Sequence, residues 1–368
     1  MDFFSWKNAL KKSHINYFYF ALILFLLGIG LNIILASSSF LARQQYGDPF
    51  FFFRKQAVYA LISVIFFIAI VQVPYRIWKT AAWPLYFLSI ATLFIVLFPP
   101  LGKKVGGAFR WLQFGFITVQ PSDIAKFSVI LLLSRIFANS EDSDAAKTAT
   151  ALIIIFLPVA LIAIEPDYGT ALHLVFASFF LLLLTGFPVY VMGVIFVTLL
   201  PAAYISVSKV AYIWERLVAY IDPYKYRFER AYQLIASYRS FLAGGMWGQG
   251  LGEGTRRHNL QARHTDFILA IIAEDLGFVG IVFILCLYFF IAVYGLHKMS
   301  RIEDKFGRLF GSGILLLFIT QAIMNIAVTT GLMPTTGINI PLLSFGGTSL
   351  LTYMCSMGII LSIMRENP

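Results

Sequence analysis

Apolar runs of about 16 to 25 residues recur from Tyr17 to Ile363, each near the length a helix needs to cross hydrocarbon. A bilayer core offers no water to backbone N–H and C=O groups, so a chain built of such runs is confined to transmembrane helices. The expected fold is therefore all-α and polytopic. Only 12% of residues are charged and 59% are hydrophobic, which favours one integral membrane domain over 1–368 rather than two or three soluble ones. Near a span an ionisable side chain costs roughly 2.5–3.5 kcal/mol. The charged groups that remain there form the short set from which function is read.

We read ten spans, at 17–36, 57–73, 82–101, 121–138, 149–164, 168–186, 188–206, 267–296, 307–331 and 342–363. Lys and Arg concentrate in one set of short loops, including Arg76, Lys79, Arg135, Lys298, Arg301 and Arg308. The positive-inside rule makes these loops cytoplasmic, together with both termini. The net charge of +10 then reflects anchoring and attraction to anionic headgroups rather than nucleic acid. Lys7, Lys11 and Lys12 ahead of the first run resemble a secretory signal, but that run is too long and more spans follow.

Segment 207–266 is the one large loop, on the outer side. Within it Val210, Ile213, Trp214, Leu217, Val218 and Ile221 repeat at helical spacing opposite Glu215, Arg216 and Asp222. Leu234, Ile235, Tyr238, Phe241 and Leu242 do the same before Gly244-Gly245. Two amphipathic helices are expected, lying on the membrane surface, over a cavity, or simply packed within a folded loop. Cys286 and Cys355 fall inside apolar runs and read as small packing residues rather than a disulfide. The five histidines show no metal-ligand spacing.

Each even-numbered span begins on the outer side, and polar groups cluster at those beginnings. They are Arg54-Lys55-Gln56, Gln120-Pro121-Ser122-Asp123 with Lys126 a turn on, Glu165-Pro166-Asp167-Tyr168-Gly169-Thr170, Arg263-His264-Thr265-Asp266 and Ser344-Phe345-Gly346-Gly347-Thr348-Ser349. Converging helix N-termini with nearby cations suit an anion. The plain alternative is capping, which accounts for Pro121, Asp123, Asp167 and Asp266 one by one. Lys126 with Asp123 equally reads as a buried i,i+3 ion pair. The glycines from Gly244 to Gly254 can cradle a phosphate, although glycine-rich loops are common.

Asp266 stands apart because Arg256, Arg257, His258, Arg263 and His264 surround it in sequence. A carboxylate there can take a proton from a hydroxyl while cations hold a diphosphate, and the cations favour its ionised form. Glu274 and Asp275 follow eight and nine residues later, roughly 12–13 Å deeper in a continuous helix. A structural pairing with a buried cation is the first reading for them.

These same residues resemble the SEDS family of bacterial division, elongation and sporulation proteins. The likeness runs through Gly107-Ala108-Phe109-Arg110-Trp111-Leu112, the stretch Gln120 to Lys126, Glu165 to Thr170, Gly244 to Gly254, His264-Thr265-Asp266-Phe267-Ile268, Glu274-Asp275-Leu276-Gly277 and Pro334 to Ser349. Each piece is modest, and their order along the whole chain is specific. Ser37-Ser38-Ser39 and the stretch Trp214 to Pro223 look more like the division branch. Gln261-Ala262 replaces the family's Pro-Glu, Asp123 and Asp275 stand where glutamate is usual, and Phe345 and Thr348 replace tyrosine and serine.

The resemblance implies ten helices and a peptidoglycan glycosyltransferase that polymerises lipid II at the outer face of the cytoplasmic membrane, with a class B penicillin-binding protein and other divisome or elongasome proteins as partners. The family's catalytic aspartate falls on Asp266. Substrate contacts are expected from Lys103, Arg110, Trp111, Lys126, Asp167, Arg263, His264, Ser344, Gly346 and Gly347. No cofactor is implied, and a divalent cation is compatible without being demanded. A lipid II flippase and a non-catalytic scaffold are the competing classes.

Overall fold

The computed structural model describes residues 15–98, 101–105, 108–114, 117–139, 145–191, 193, 197, 211–254 and 265–367. Its helices are α1 (Tyr17–Tyr46), α2 (Phe51–Gln72), α3 (Arg76–Val96), α4 (Pro121–Ala138), α5 (Ala145–Ile164), α6 (Tyr168–Leu184), α7 (Ala211–Ile221), α8 (Tyr232–Gly244), α9 (Ile268–Ser300), α10 (Lys305–Thr329) and α11 (Gly347–Glu366). Seven of these, α1, α2, α3, α5, α9, α10 and α11, are long and apolar enough to span a membrane. α6 is a shorter apolar helix, and α4 carries Asp123, Lys126 and Arg135 among its apolar residues. The chain is a multi-pass membrane protein. The expected span 188–206 falls mostly outside the described residues.

α1 runs ten residues past its expected end. The serines that looked like a stop are satisfied inside the helix: Ser37 Oγ and Ser38 Oγ both donate to Ile34 O, at 3.2 and 2.6 Å. The helix ends at Gly47, which takes the left-handed conformation with φ 73°. Between α3 and α4 an antiparallel sheet was not anticipated: β1 (Gly102–Val105), β2 (Ala108–Phe114) and β3 (Ile117–Val119), in the order β1-β2-β3. α3 stops at Val96, five residues short of the expected end of the third span at 101, and β1 follows from Gly102.

α10 and α11 form the centre. In their apolar windows 78% and 72% of residues are buried, against 28% for α2, α3 and α5, which turn most of their surface to lipid. Small residues allow this. At Gly313 an added Cβ would collide with Ile130 of α4, and at Gly311 with Met299 of α9, so α10 packs tightly against both neighbours.

Of the two loop helices, α8 is a packing helix. Its Ala236 sits with Phe267, Ala270, Ile271 and Val328 in one buried cluster. α7 lies over segment 332–335, with Tyr220 Oη donating to Leu332 O at 3.0 Å and Arg216 Nη1 to Thr335 O at 2.8 Å.

α9 is broken. Gly277 has φ 68° and ψ −167°, outside the helical region, so the helical bonds from Phe278 and Val279 back to residues 274 and 275 are lost. The chain between α8 and residue 254 replaces them. Gln249 N and Gly250 N donate to Glu274 O (2.9 Å) and Asp275 O (3.0 Å), while Phe278 N and Val279 N donate to Gly245 O (2.9 Å) and Met246 O (3.1 Å). Backbones this close leave no room for a Cβ at Gly248 or Gly277. The glycine-rich stretch thus docks onto a broken helix.

The break also corrects the placing of Glu274 and Asp275. A 33-residue helix is about 50 Å long, well beyond a hydrocarbon core of about 30 Å. Counting back from Lys298 in its basic last turn, some 30 Å of rise ends near Gly277. The two acids therefore belong to the segment beyond the lipid-crossing shaft. There Glu274 Oε2 accepts from Ser240 Oγ and Asp275 Oδ2 from Gly252 N, each at 2.9 Å.

Candidate active site

Pro121 opens α4 without needing a backbone donor. Asp167 caps α6, accepting from Thr170 N (3.3 Å) and Thr170 Oγ1 (3.0 Å). Gln120 ties these starts together, its Nε2 donating to Asp167 Oδ2 at 3.3 Å and its backbone N to Thr348 Oγ1 in the first turn of α11. Thr348 Oγ1 in turn donates to Thr118 O of β3 at 2.8 Å. The starts of α4, α6 and α11 do converge, a fact no sequence pattern carries.

Asp266 stands two residues before α9. Asn325 of α10 holds its backbone, with Nδ2 donating to Asp266 O at 2.8 Å and to Ile338 O at 2.6 Å. Ser344 Oγ accepts from Ile340 N (3.0 Å) and donates to Thr265 O (2.8 Å). Segment 335–340 runs through the middle. An added Cβ at Gly337 would lie 3.6 Å from Asp266 Oδ2, and one at Gly169, in the first turn of α6, would press on Thr336. Asn325 of α10 and the loop residue Ser344 thus fix the backbone that carries this half-buried carboxylate.

Among the described residues, the charges acting on Asp266 are those of Arg216, Arg110 and Asp167. Burial pushes its carboxyl up to about 6; Arg216, a hydrogen bond from Thr265 and Arg110 oppose that rise, and Asp167 adds to it. Desolvation outweighs these two cations; Arg256, Arg257, His258, Arg263 and His264, which surround Asp266 in sequence, lie outside the described residues. At neutral pH the group is still mostly ionised, and it is a stronger base than an ordinary aspartate.

Arg110 lies on β2 and reaches the turn between α5 and α6, where Nε donates to Glu165 O at 3.3 Å and Nη2 to Pro166 O. Arg110 is the extra residue of a β-bulge, skipped as the register passes from Lys103↔Trp111 to Lys104↔Phe109, and Trp111 follows it on the strand. Lys126 lies within the bundle: it pairs with Asp123 at 2.9 Å and donates to Gln321 Oε1 at 2.9 Å, the structural alternative for that residue. Gly346 N donates to Gln56 Oε1 at 3.2 Å, and Gly347 packs against the Tyr59 ring. Arg263 and His264 lie outside the described residues. Among the described residues no cluster of three or more His, Cys, Asp or Glu comes together as a metal site.

Two site residues were missed. Arg216 had been read as part of a polar helix face, which gave it a direction but no partner. Glu165 opens the polar stretch Glu165 to Thr170, yet only its burial singles it out.

A family model described as Cell cycle protein, for FtsW, RodA and SpoVE, matches residues 17–368. The chain belongs to this family. Among curated SEDS relatives, proteins named probable peptidoglycan glycosyltransferase FtsW are 33% identical in Trichlorobacter lovleyi over 343 residues (92% of this chain, 90% of that one) and 32% identical in Bacillus subtilis over 371 residues (96% and 92%). The one in Coxiella burnetii is 32% identical over 97% of this chain and 99% of its own. Two solved structures share the SEDS fold. One, described as structural coordination of polymerization and crosslinking by a peptidoglycan synthase complex, superposes with a TM-score of 0.80 at 24% identity, covering 96% of this chain and 98% of that one. The other, rod shape determining protein RodA of Thermus thermophilus, gives 0.71 at 23%, covering 96% and 97%.

Proposed function

We propose that this chain is a peptidoglycan glycosyltransferase of the division type, polymerising lipid II at the outer face of the bacterial cytoplasmic membrane. The observation that carries the reading is the carboxylate of Asp266, raised in basicity by burial and set among Arg216, Arg110 and Asp167, in a chain whose curated relatives bear that activity in their names. The acceptor sugar's 4-hydroxyl gives its proton to Asp266 as its oxygen attacks the donor's anomeric carbon. The bond to the diphosphate oxygen breaks, and the electron pair leaves with undecaprenyl diphosphate. Arg110 and Arg216, with Lys103 and Arg263, stabilise the negative charge that develops there.

The loop charges support both termini lying in the cytoplasm. A class B penicillin-binding protein is the proposed partner, crosslinking the product, and a peptidoglycan synthase complex among the structural neighbours supports it.

The test is glycan formation from purified lipid II in detergent with the partner present. Asp266→Ala should lower the rate by about 10²- to 10⁴-fold while the protein still folds and binds its partner. Substantial polymer from that variant would remove Asp266 from the chemistry. Activity in detergent also separates a polymerase from a flippase, which needs a sealed bilayer.

A further inference from the structure

Glu165 sits in the connection between α5 and α6. It is 1% exposed, and among the described residues neither carboxyl oxygen has a hydrogen-bond partner. An ionised carboxylate in that condition is costly enough that the group takes up a proton instead. Arg110 sharpens the point. A guanidinium is a fork shaped for carboxylates, and this one reaches the same connection, yet it donates to the main-chain carbonyls of Glu165 and Pro166. The two groups act on each other electrostatically without pairing. Held by neutral carbonyls, Arg110 keeps its whole positive charge. Paired with an ionised Glu165, it would lose that charge where a diphosphate has to bind.

We propose that Glu165 is a positioning residue that works as a neutral acid: its backbone steers Arg110, and its protonated carboxyl leaves the Arg110 charge available to a diphosphate-bearing substrate. This deepens the glycosyltransferase reading and rests on it for the identity of the anion. The charged groups acting on Glu165 are Asp167 from the cap of α6, which with burial favours the protonated form, and Arg110 from β2, which opposes it. The balance puts Glu165 at about 8. Below that pH it is neutral. Above it a negative charge appears beside Arg110, and anion binding weakens. Asp266, at about 6, is ionised over the same interval, so the two carboxyls bracket a working window.

The experiment measures binding without turnover. A lipid II analogue lacking the 4-hydroxyl cannot act as acceptor, and its diphosphate diester keeps a constant charge through the range. Wild-type protein in detergent should bind it with a Kd that rises above pH about 8, by up to tenfold per unit, while binding of undecaprenol stays flat. Glu165→Gln, shown to be folded by thermal unfolding, should bind as tightly at neutral pH and lose the alkaline rise. Arg110→Gln should bind weakly at every pH with no such rise. An alkaline rise that persists in Glu165→Gln or in Arg110→Gln overturns the proposal, as does weak neutral-pH binding by Glu165→Gln. Because no polymer is counted, failure of the polymerase reading would appear separately, as absent glycan with this binding pattern intact.

Discussion

Lys126 and Asp123 show what a buried ion pair does in this bundle. Their side chains are 7% and 6% exposed and 2.9 Å apart. Gln321 Oε1 accepts from both Lys126 and Tyr353 Oη (2.6 Å), while its Nε2 donates to Asn339 O at 2.9 Å. The pair therefore holds the segment that faces Asp266. Lys126→Met leaves Asp123 charged and alone, and should destabilise the protein by about 3–5 kcal/mol, read as a fall in the thermal unfolding midpoint in detergent. Adding Asp123→Asn should restore much of that loss. If the single variant melts with the wild type, the pair contributes nothing to the fold. Sequence named both readings of Lys126, structural and substrate-binding, and could not choose, because the choice depends on Gln321 and Tyr353, which lie far along the chain.

At the scale of elements, what could be read in advance follows from local rules. Apolar runs predict helices because hydrocarbon admits little else, and α7 and α8 follow from 3.6-residue periodicity. The sheet of β1 to β3 carries no such signal in strands this short, and the break in α9 comes from backbone contacts with a segment earlier in the chain. Gly277 makes that break testable. Its φ of 68° and its contact with Gly248 and Met246 both exclude a side chain. Gly277→Ala should cost about 1–3 kcal/mol from backbone strain alone, more with the displaced loop. Limited proteolysis should then cut between residues 244 and 254 faster than in wild type. Unchanged cleavage would mean that the docking is dispensable.

For the whole molecule, the candidate site is a meeting of helix beginnings that sequence assigned to one side of the membrane without showing that they touch. Asp266 and Asp167 are legible in advance as helix starts, and Arg110 as part of the family stretch Gly107 to Leu112. Glu165 and Arg216 are not, since burial and partners decide them. The topology has its own check. In a background with Cys286 and Cys355 replaced, Trp247→Cys, at an exposed position, should react with an impermeant thiol reagent on intact spheroplasts. Glu303→Cys should react only after the membrane is opened. The reverse pattern would invert the molecule and place Asp266 on the cytosolic side.

The four hydrogen bonds that bridge the break in α9 also bear on how the protein is made. Amides freed within or beside lipid need a substitute at once, and here it comes from a stretch that leaves the ribosome earlier. Residues 245–250 are already outside when residues 274–279 arrive, so the translocating chain meets a prepared edge. A chain permuted to synthesise the shaft first would present it to the insertion machinery with its backbone unsatisfied.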